Sequence, residues 1–194
     1  MAVTRQLLAA LKALLALTVL LGVLYPAAIL AVGLVVPGPA NGSLIEVDGK
    51  AVGSSLLGQT AVGPQWFQAR PSASDYAGDT SGGSNLGPSS EDLATSVAER
   101  EAALREANPG APATIPADAL TASGSGLDPH ISAEYAAYQV PRVAAARGLS
   151  DEQVQRMVAA HTQHVALGFI GEDRVNVTEL NVALETAEPA TGSQ

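Results

Sequence analysis

The sequence predicts an α+β domain that lies outside the cytoplasm and is anchored by one N-terminal transmembrane helix. Two observations support this organisation. The first is an uncharged run of 24 residues, 13–36, of which 14 are leucine, isoleucine or valine. The second is that helix-like and strand-like patterns follow one another irregularly over residues 37–194, without the regular succession that builds a parallel sheet. Because cysteine is absent, disulfide bonds and thiolate chemistry are excluded.

The apolar run is long enough to cross a membrane. At about 1.5 Å per residue, a helix of this length measures about 36 Å, and the hydrocarbon core is about 30 Å thick. A cleaved signal peptide is the alternative interpretation, but its apolar core is usually only about 7–15 residues long. Pro26 lies inside the run, where it removes one helical hydrogen bond and predicts a kink.

The charges on either side of the run predict its orientation. Arg5 and Lys12 precede it, whereas the first base after it, Lys50, has acidic neighbours. Since positive charge is retained in the cytoplasm, we expect residues 1–12 inside and residues 37–194 outside. The outer part has all 19 acidic residues and eight of the ten basic residues, which gives it a formal charge of −11. This charge disfavours nucleic-acid binding, because phosphates need basic partners.

The outer domain is expected to start with a β-hairpin. Pro37-Gly38-Pro39 stops the span, and strands at 44–47 and 50–52 flank a tight turn at Asp48-Gly49. A further extended segment is expected at 65–67. The hairpin therefore follows the predicted span closely along the chain.

One long helix is expected in the middle of the domain. Residues 79–90 are rich in turn formers and predict an irregular loop. The helix that follows begins at Glu91-Asp92, can pair Glu101 with Arg105 one turn on, and ends at Asn108. Prolines then exclude regular helix from the next ten residues or so.

Capped helices and one strand are predicted for the C-terminal part of the chain. The helices have a serine or threonine where an N-cap accepts backbone N–H groups. Pro141 suits the first position of a new turn, so a break is expected there. The predicted elements are a helix from Ser132 to about Gln139, a helical piece from Pro141 to Gly148, a helix from Ser150 (with Gln153 in a capping box) to about His164, a strand at 174–177 and a helix from Thr178 to about Ala187.

Two groups of residues invite a catalytic or metal-binding interpretation. Ser123, Ser125 and His130 have the side chains of a hydrolase. A catalytic triad needs groups that converge from separate positions, with serine on a glycine-flanked elbow, and the sequence around these serines lacks that pattern. A structural turn is the favoured interpretation. His161 and His164 could share one helical face toward a metal, but two ligands without a third favour solvated helix residues.

Several longer motifs follow one another between about residues 43 and 184, in the same order as in a known protein family. They are Gly53–Gln59, Trp66–Ala73, Ser81–Pro88, Thr121–Ser132, Tyr138–Gly148, Arg174–Val177 and Leu180–Asn181. With these motifs and its predicted single span, the chain resembles the C subunit of the Kdp potassium-transporting ATPase. The resemblance implies an accessory subunit of an ATP-driven potassium uptake complex in the bacterial inner membrane. The implied partners are a channel-like potassium-binding subunit and a P-type ATPase subunit.

The resemblance also implies a biochemical role. The family is described as stabilising the assembled complex and as a catalytic chaperone that raises the affinity of the pump subunit for ATP. The complex uses ATP and potassium, with magnesium, whereas no catalytic residue, metal site or cofactor is assigned to this chain itself. Direct contact with ATP conflicts with the expected outer position of the domain. An effect transmitted through the span, or a cap over the channel entrance, agrees better with that topology.

Eight polar residues in these motifs are candidates for contacts with partner subunits. Each could instead hold a turn, and that structural role is favoured for three of them, Asn85, Asp128 and Asn176. Two other interpretations remain open, an anchored hydrolase using Ser123 or Ser125 with His130 and a free-standing anchored binding module. The eight candidates are Gln59, Arg70, Asn85, Asp128, His130, Gln139, Arg142 and Asn176.

Overall fold

The computed structural model describes residues 2–165 and 171–186 of the 194-residue chain. The chain divides into two compact units, residues 1–43 and 44–194. The second unit combines helices with strands, and every strand pair among its described residues is antiparallel. The predicted mixture of helix and strand, with one N-terminal apolar helix, is confirmed.

The first unit consists mainly of a long apolar helix with one wider turn in it. Helix α1 spans Ala2–Val19, a π-helical turn spans Leu20–Leu24, and helix α2 spans Tyr25–Val35. Together, Ala2–Val35 is long and apolar enough to cross a membrane. Where we predicted a kink at Pro26, the structure has the wider turn just before it. Proline donates no N–H group and its ring crowds the preceding turn, which a π-helical turn accommodates.

A β-hairpin begins the second unit. A short helix, α3 at Pro37–Ala40, precedes it, and strand β1 at Leu44–Val47 pairs with β2 at Lys50–Ser54. Asp48 and Gly49 have φ values of 51° and 73°. Two successive positive φ values are those of the tight turn that joins closely paired strands. The predicted hairpin is confirmed, with β2 two residues longer than expected.

Helices surround a three-stranded sheet in the rest of the described second unit. The strand order is β3-β5-β4, so the strand that comes last in the chain lies in the middle. The helices are α4 at Glu91–Ala107, α5 at Ala117–Leu120, α6 at Ala133–Arg147, α7 at Asp151–Ala160 and α8 at Val177–Thr186. The strands are β3 at His130–Ser132, β4 at Thr162–Gln163 and β5 at Arg174–Asn176.

Several helix ends lie where the sequence predicted them. Ser132 caps α6, and Gly148 ends it in the left-handed region with φ 66°. Ser150 and Gln153 form the predicted capping box at the start of α7, with bonds of 3.2 and 2.8 Å. The ion pair predicted within α4 is formed at 2.8 Å. These caps satisfy backbone N–H groups that a helix leaves unpaired in its first turn.

Helix α6 contributes the largest share of the hydrophobic core. It packs against α7 and against the sheet, and side chains from the loop at 67 and from α8 complete the cluster. The buried apolar residues are Phe67, Ala119, Ile131, Tyr135, Ala136, Tyr138, Val140, Val143, Ala144, Val154, Val158, Val175, Val177, Leu180 and Leu184. This core holds the polar side chains described below.

Helix α6 corrects one prediction, because it continues through Pro141 without a break. Buried residues lie on both sides of the proline, among them Val140 and Val143. Proline inside a helix costs about 3 kcal/mol, and burying one continuous apolar face offsets that cost. The carbonyl that loses its partner belongs to Ala137, an exposed residue where water can bind.

Three further boundaries differ from the predictions. Helix α7 ends at Ala160 rather than near His164. Helix α8 begins at Val177, and its cap is Asn176, whose Oδ1 accepts the N–H of Glu179 at 3.1 Å, so the prediction of Thr178 as cap is wrong. Its predicted end at residue 187 lies outside the described residues. The segment 65–67 belongs to no strand, because Gln65 and Trp66 lie in a turn and a bend, and Phe67 pairs with the side-chain amide of Asn181.

Candidate functional site

Two carboxamide side chains hold the extended segment around Phe67. The Gln139 side chain, 0% exposed, accepts the N–H of Gln68 at 2.7 Å and donates to its carbonyl at 3.0 Å. Asn181 does the same with Phe67, at 2.8 and 2.9 Å. Successive residues of an extended chain present their backbone groups on opposite sides, so each amide occupies the place of a neighbouring strand. We call Phe67, Gln68, Gln139 and Asn181 the amide clamp.

Arg142 connects the amide clamp to helix α4. Its guanidinium donates to four neutral oxygens. Most of the N–H groups of the guanidinium are therefore hydrogen-bonded. Burial lowers the pKa of Arg142 from its ordinary value, because a charged group loses hydration there. The acceptors are the side-chain oxygens of Asn108 (2.8 Å) and Gln139 (2.6 Å) and the carbonyls of Pro64 (2.6 Å) and Trp66 (2.8 Å).

Arg147 holds the same loop one to two helical turns further along α6. Its guanidinium carbon lies 4.3 Å from the centroid of the Trp66 ring, which is a cation–π contact. It donates to the carbonyls of Gln65 and Leu184, each at 2.8 Å. Side chains of α6 and α8 therefore hold the loop at 64–68.

A second polar cluster surrounds Asp128. Its carboxylate lies 3.7 Å from Arg70 Nη1, accepts the backbone N–H of His130 at 2.9 Å and lies 3.2 Å from His130 Nδ1. Nearby, Asp118 accepts both the N–H and the hydroxyl of Ser132, at 2.7 and 2.9 Å. These residues line a cleft of about 440 Å³ that also includes Glu172, Asp173 and Arg174. The structure thus brings together three of the candidates, Arg70, Asp128 and His130.

Tyr76 supports this cluster from the side. Its hydroxyl donates to the carbonyl of Arg70. Burial raises the pKa of Tyr76 to about 12, and the negative charge of Asp128 adds to the rise while the positive charge of Arg70 opposes it. The Tyr76 ring lies so close to Gly58 that a Cβ there would meet it at 2.5 Å. The loop carrying Arg70 is consequently packed against the segment that follows the hairpin.

The two serine- and glycine-rich stretches pack against each other. Gly82 donates its N–H to the carbonyl of Ser125 at 2.8 Å. The Ser123 hydroxyl, 1% exposed, accepts the N–H of Gly126 at 3.2 Å and lies 3.2 Å from that of Ser125. Within the described residues, neither serine hydroxyl is hydrogen-bonded to His130. The bonds that these serines form are those of a turn.

The remaining candidates lie in different places. Asn176, 1% exposed, caps α8 and donates to the carbonyl of Ser55 at 2.8 Å. Asn85 is exposed in the loop before α4, with a φ of 54°. Gln59 is exposed beside the hairpin, where its amide lies 3.5 Å from the carbonyl of Val52. The eight candidates therefore do not form one site.

The two histidines predicted on one helical face do not share one. His161 ends α7, where its Nδ1 lies 2.8 Å from the carbonyl of Met157. His164 lies beyond β4 and pairs with Asp173 at 2.8 Å. The hydrogen bond from His164 is the main cause that lowers the pKa of Asp173, and a second hydrogen bond, from the backbone N–H of Val165, lowers it further. Over residues 2–165 and 171–186, no three histidine or acidic side chains are grouped so that they could hold a metal ion.

A family model described as "KdpC: K+-transporting ATPase, c chain" matches residues 7–186. The chain belongs to the KdpC family. A Potassium-transporting ATPase KdpC subunit of Kineococcus radiotolerans is 55% identical over 187 residues, which cover 95% of each chain. KdpC subunits of Sorangium cellulosum and Rhodopseudomonas palustris are 52% and 47% identical, and the alignments cover 92% and 93% of this chain and 96% of each relative. The resemblance seen in the motifs is confirmed.

The sequence indicated Gln139 and Arg142 as partner-contact candidates, but it missed two other residues of this KdpC chain that hold the loop at 64–68. Asn181 and Arg147 were not among the candidates, and Asn108 was predicted only as a helix end. One signal was present in the sequence for Asn181, since it lies between Leu180 and Leu184, whose spacing of four residues is that of an apolar helical face. A carboxamide beside an apolar helical face needs buried partners. No comparable signal distinguishes Arg147 from the other arginines.

Proposed function

We propose that this chain is the accessory subunit of an ATP-driven, high-affinity potassium uptake complex. The observation that carries the proposal is the KdpC family match over residues 7–186, together with relatives of about 50% identity over more than nine-tenths of both chains. As a KdpC subunit, the chain has partners within a potassium-transporting ATPase. The partners we propose are the channel-like potassium-binding subunit and the P-type ATPase subunit.

We infer that the apolar helix anchors the chain in the bacterial inner membrane. Ala2–Val35 has the required length and hydropathy. Arg5 and Lys12 lie at its N-terminal end, and acidic residues dominate after it, which favours a cytoplasmic N-terminus. In this orientation the second unit lies outside the cytoplasm, near the side from which potassium enters.

The role proposed for the subunit is assembly of the complex and support of ATP use by the pump subunit. With the second unit outside, that support is indirect and passes through the span or through the channel-like subunit. The formal charge of −11 attracts cations, and screening over about 8–10 Å limits this attraction to the surface. We propose assembly as the primary role, and the effect on ATP affinity depends on it.

Co-purification tests the proposed partners. The full chain with a C-terminal tag is purified in mild detergent from potassium-starved native cells, and co-purified chains are identified by mass spectrometry. A P-type ATPase chain and a polytopic channel-like chain in near-equal amounts are the expected result. Recovery of the tagged chain alone, with the other subunits shown to be expressed, would refute the proposal. The Michaelis constant for ATP, measured for the complex with and without this subunit, then tests the chaperone role.

The absence of cysteine allows a direct test of topology. Single cysteines are introduced as Ser89→Cys in the exposed loop before α4 and as Thr4→Cys near the N-terminus, both at exposed positions. A membrane-impermeant maleimide added to intact spheroplasts is expected to label the first variant only. Labelling of Thr4→Cys, or protection of Ser89→Cys until the membrane is permeabilised, would contradict the orientation.

A further inference from the structure

A cleft lies between the proline-rich segment that follows α4 and the first half of α6. Its volume is about 600 Å³, which lies within the range of small-molecule sites, about 300–1,000 Å³. It adjoins the cleft around Asp128 and shares several residues with it. We call it the proline cleft. The lining residues on which the argument depends are Pro112, Pro116, Asp118, Glu134, Tyr138 and Glu172.

Tyr138 has a hydroxyl without a partner at this cleft. The residue is 2% exposed and lines the cleft. Over residues 2–165 and 171–186, its hydroxyl forms no hydrogen bond with a side chain or with the backbone. A buried tyrosine usually pairs its hydroxyl. An unpaired hydroxyl on a buried ring therefore indicates a ligand that supplies the missing hydrogen bond.

The charged side chains that line the proline cleft are acidic. Asp118 accepts only neutral donors, the N–H and the hydroxyl of Ser132, at 2.7 and 2.9 Å. Glu134 and Glu172 are exposed. In the part of the chain that the structure describes, none of the three carboxylates forms an ion pair. Their charges are complementary to those of a cationic ligand.

Contacts on both sides fix the walls of the proline cleft. Pro112 and Pro116 have the restricted φ of proline. Between them, the carbonyl of Ala113 accepts a hydrogen bond of 3.2 Å from Arg105 Nη1 on α4. The two bonds of Asp118 join α5 to the N-cap residue of α6. A preformed site of this kind loses little conformational entropy when a ligand binds.

We propose that the proline cleft binds a linear aliphatic polyamine. The methylene chain lies against the prolines, the ammonium groups are attracted to the carboxylates, and one ammonium group donates to the Tyr138 hydroxyl oxygen. The three carboxylates line one cleft without converging on one point, which suits positive charges that are spaced along a chain. This inference goes beyond the proposed function and does not depend on it.

The same residues argue against other ligand classes. A bare metal ion needs several ligands around it, and no three histidine or acidic side chains among the described residues are grouped for one. An anion would meet three carboxylates, while Arg70 and Arg174 of the adjoining cleft are bonded to Asp128 and Gln163. A wholly apolar ligand would bury the Tyr138 hydroxyl without a partner.

Calorimetric titration of the full chain with spermidine, in mild detergent and at physiological ionic strength, tests the proposal. Saturable binding is the expected result. Tyr138→Phe removes only a hydroxyl that has no partner within the described chain, so the fold is retained, which thermal unfolding checks. Loss of a hydrogen bond to an ammonium group is expected to weaken binding about ten-fold or more.

A second variant tests the charges of the cleft. Glu134→Gln combined with Glu172→Gln removes two of the three carboxylates and is expected to weaken binding about five-fold or more. Glu99→Gln combined with Glu106→Gln is the matched control, because it removes the same charge from exposed positions of α4 outside the lining. Its affinity is expected to stay within about two-fold of that of the unaltered chain. If Tyr138→Phe does not fold, this pair of variants decides.

An inorganic ion of equal charge separates a specific site from general attraction to an acidic domain. Hexaamminecobalt(III) has the same charge as spermidine and also has N–H donors, but it has no methylene chain. It is expected to bind about ten-fold more weakly or less. The proposal would be overturned if spermidine showed no saturable binding, if Tyr138→Phe or the variant of the two cleft glutamates bound it as well as the unaltered chain, or if the two cations bound equally.

Discussion

The amide clamp leads to a prediction about stability that is centred on Gln139. The substitution Gln139→Met keeps the length and approximate volume of the side chain but removes its three hydrogen bonds, two to Gln68 and one to Arg142. The three groups left without a partner are partly buried. At about 1–2 kcal/mol for each, the expected loss in the free energy of unfolding is about 3–6 kcal/mol. That is a large part of the stability of an ordinary domain, about 5–15 kcal/mol.

The chain's single tryptophan makes the measurement local. Trp66 precedes the clamp directly, so its fluorescence reports the unfolding of this region during a urea titration of the full chain in mild detergent. Gln155→Met on the exposed face of α7 is the control and is expected to change stability by less than about 0.5 kcal/mol. A loss below about 1 kcal/mol for Gln139→Met would refute the structural role and return Gln139 to the partner-contact candidates.

Three further outcomes are expected. Arg142→Lys loses the planar fork that reaches four acceptors, and the same titration should show a loss of about 1–3 kcal/mol; an unchanged midpoint would contradict this. Gly126 has a φ of 69°, and a Cβ at this position would lie 2.8 Å from a backbone carbonyl, so Gly126→Ala should lower the free energy of unfolding by about 1–3 kcal/mol. At Gly124 a Cβ would meet no atom within 4 Å, so Gly124→Ala is the control and should lower it by less than about 1 kcal/mol. The Tyr76 pKa of about 12 in the folded chain exceeds its ordinary value of 10.0, so the stabilisation is present below pH 10 and is lost as the pH rises toward 12. In a pH titration followed by tyrosinate absorbance, Tyr76→Phe should have one fewer tyrosine that ionises well above pH 10. An unchanged titration would count against the burial argument.

Local rules predicted the elements that depend on neighbouring residues. The hairpin turn at Asp48-Gly49, the capping box at Ser150 and the end of α6 at Gly148 each need only side chains and φ values a few residues apart. Such features are encoded within one turn of chain. The apolar helix was equally predictable, since its composition alone determines its length and hydropathy.

Features that depend on distant residues were not predictable from the sequence. Pro141 favoured a helix break locally, and only the burial of residues on both sides of it explains why α6 continues. Asn176 replaces Thr178 as the cap of α8 because the Thr178 hydroxyl is bonded to the loop after the hairpin. Among the candidate contacts, Gln139 was selected for its motif, whereas Gln68, which forms two of its three hydrogen bonds, lies 71 positions earlier in the chain.

The same long separations determine when the second unit can close during synthesis. Phe67 is bonded to Asn181, 114 positions later, and the loop at 55–57 is bonded to residues 121 positions later. At about 5–20 residues per second, this segment waits roughly 6–23 s for its partners to leave the ribosome. The hairpin and loop are therefore made early but completed last. Truncation before α8 would leave the loop at 55–67 without its hydrogen-bond partners on that helix. The incomplete domain would then be bound by chaperones or degraded by proteases instead of assembling.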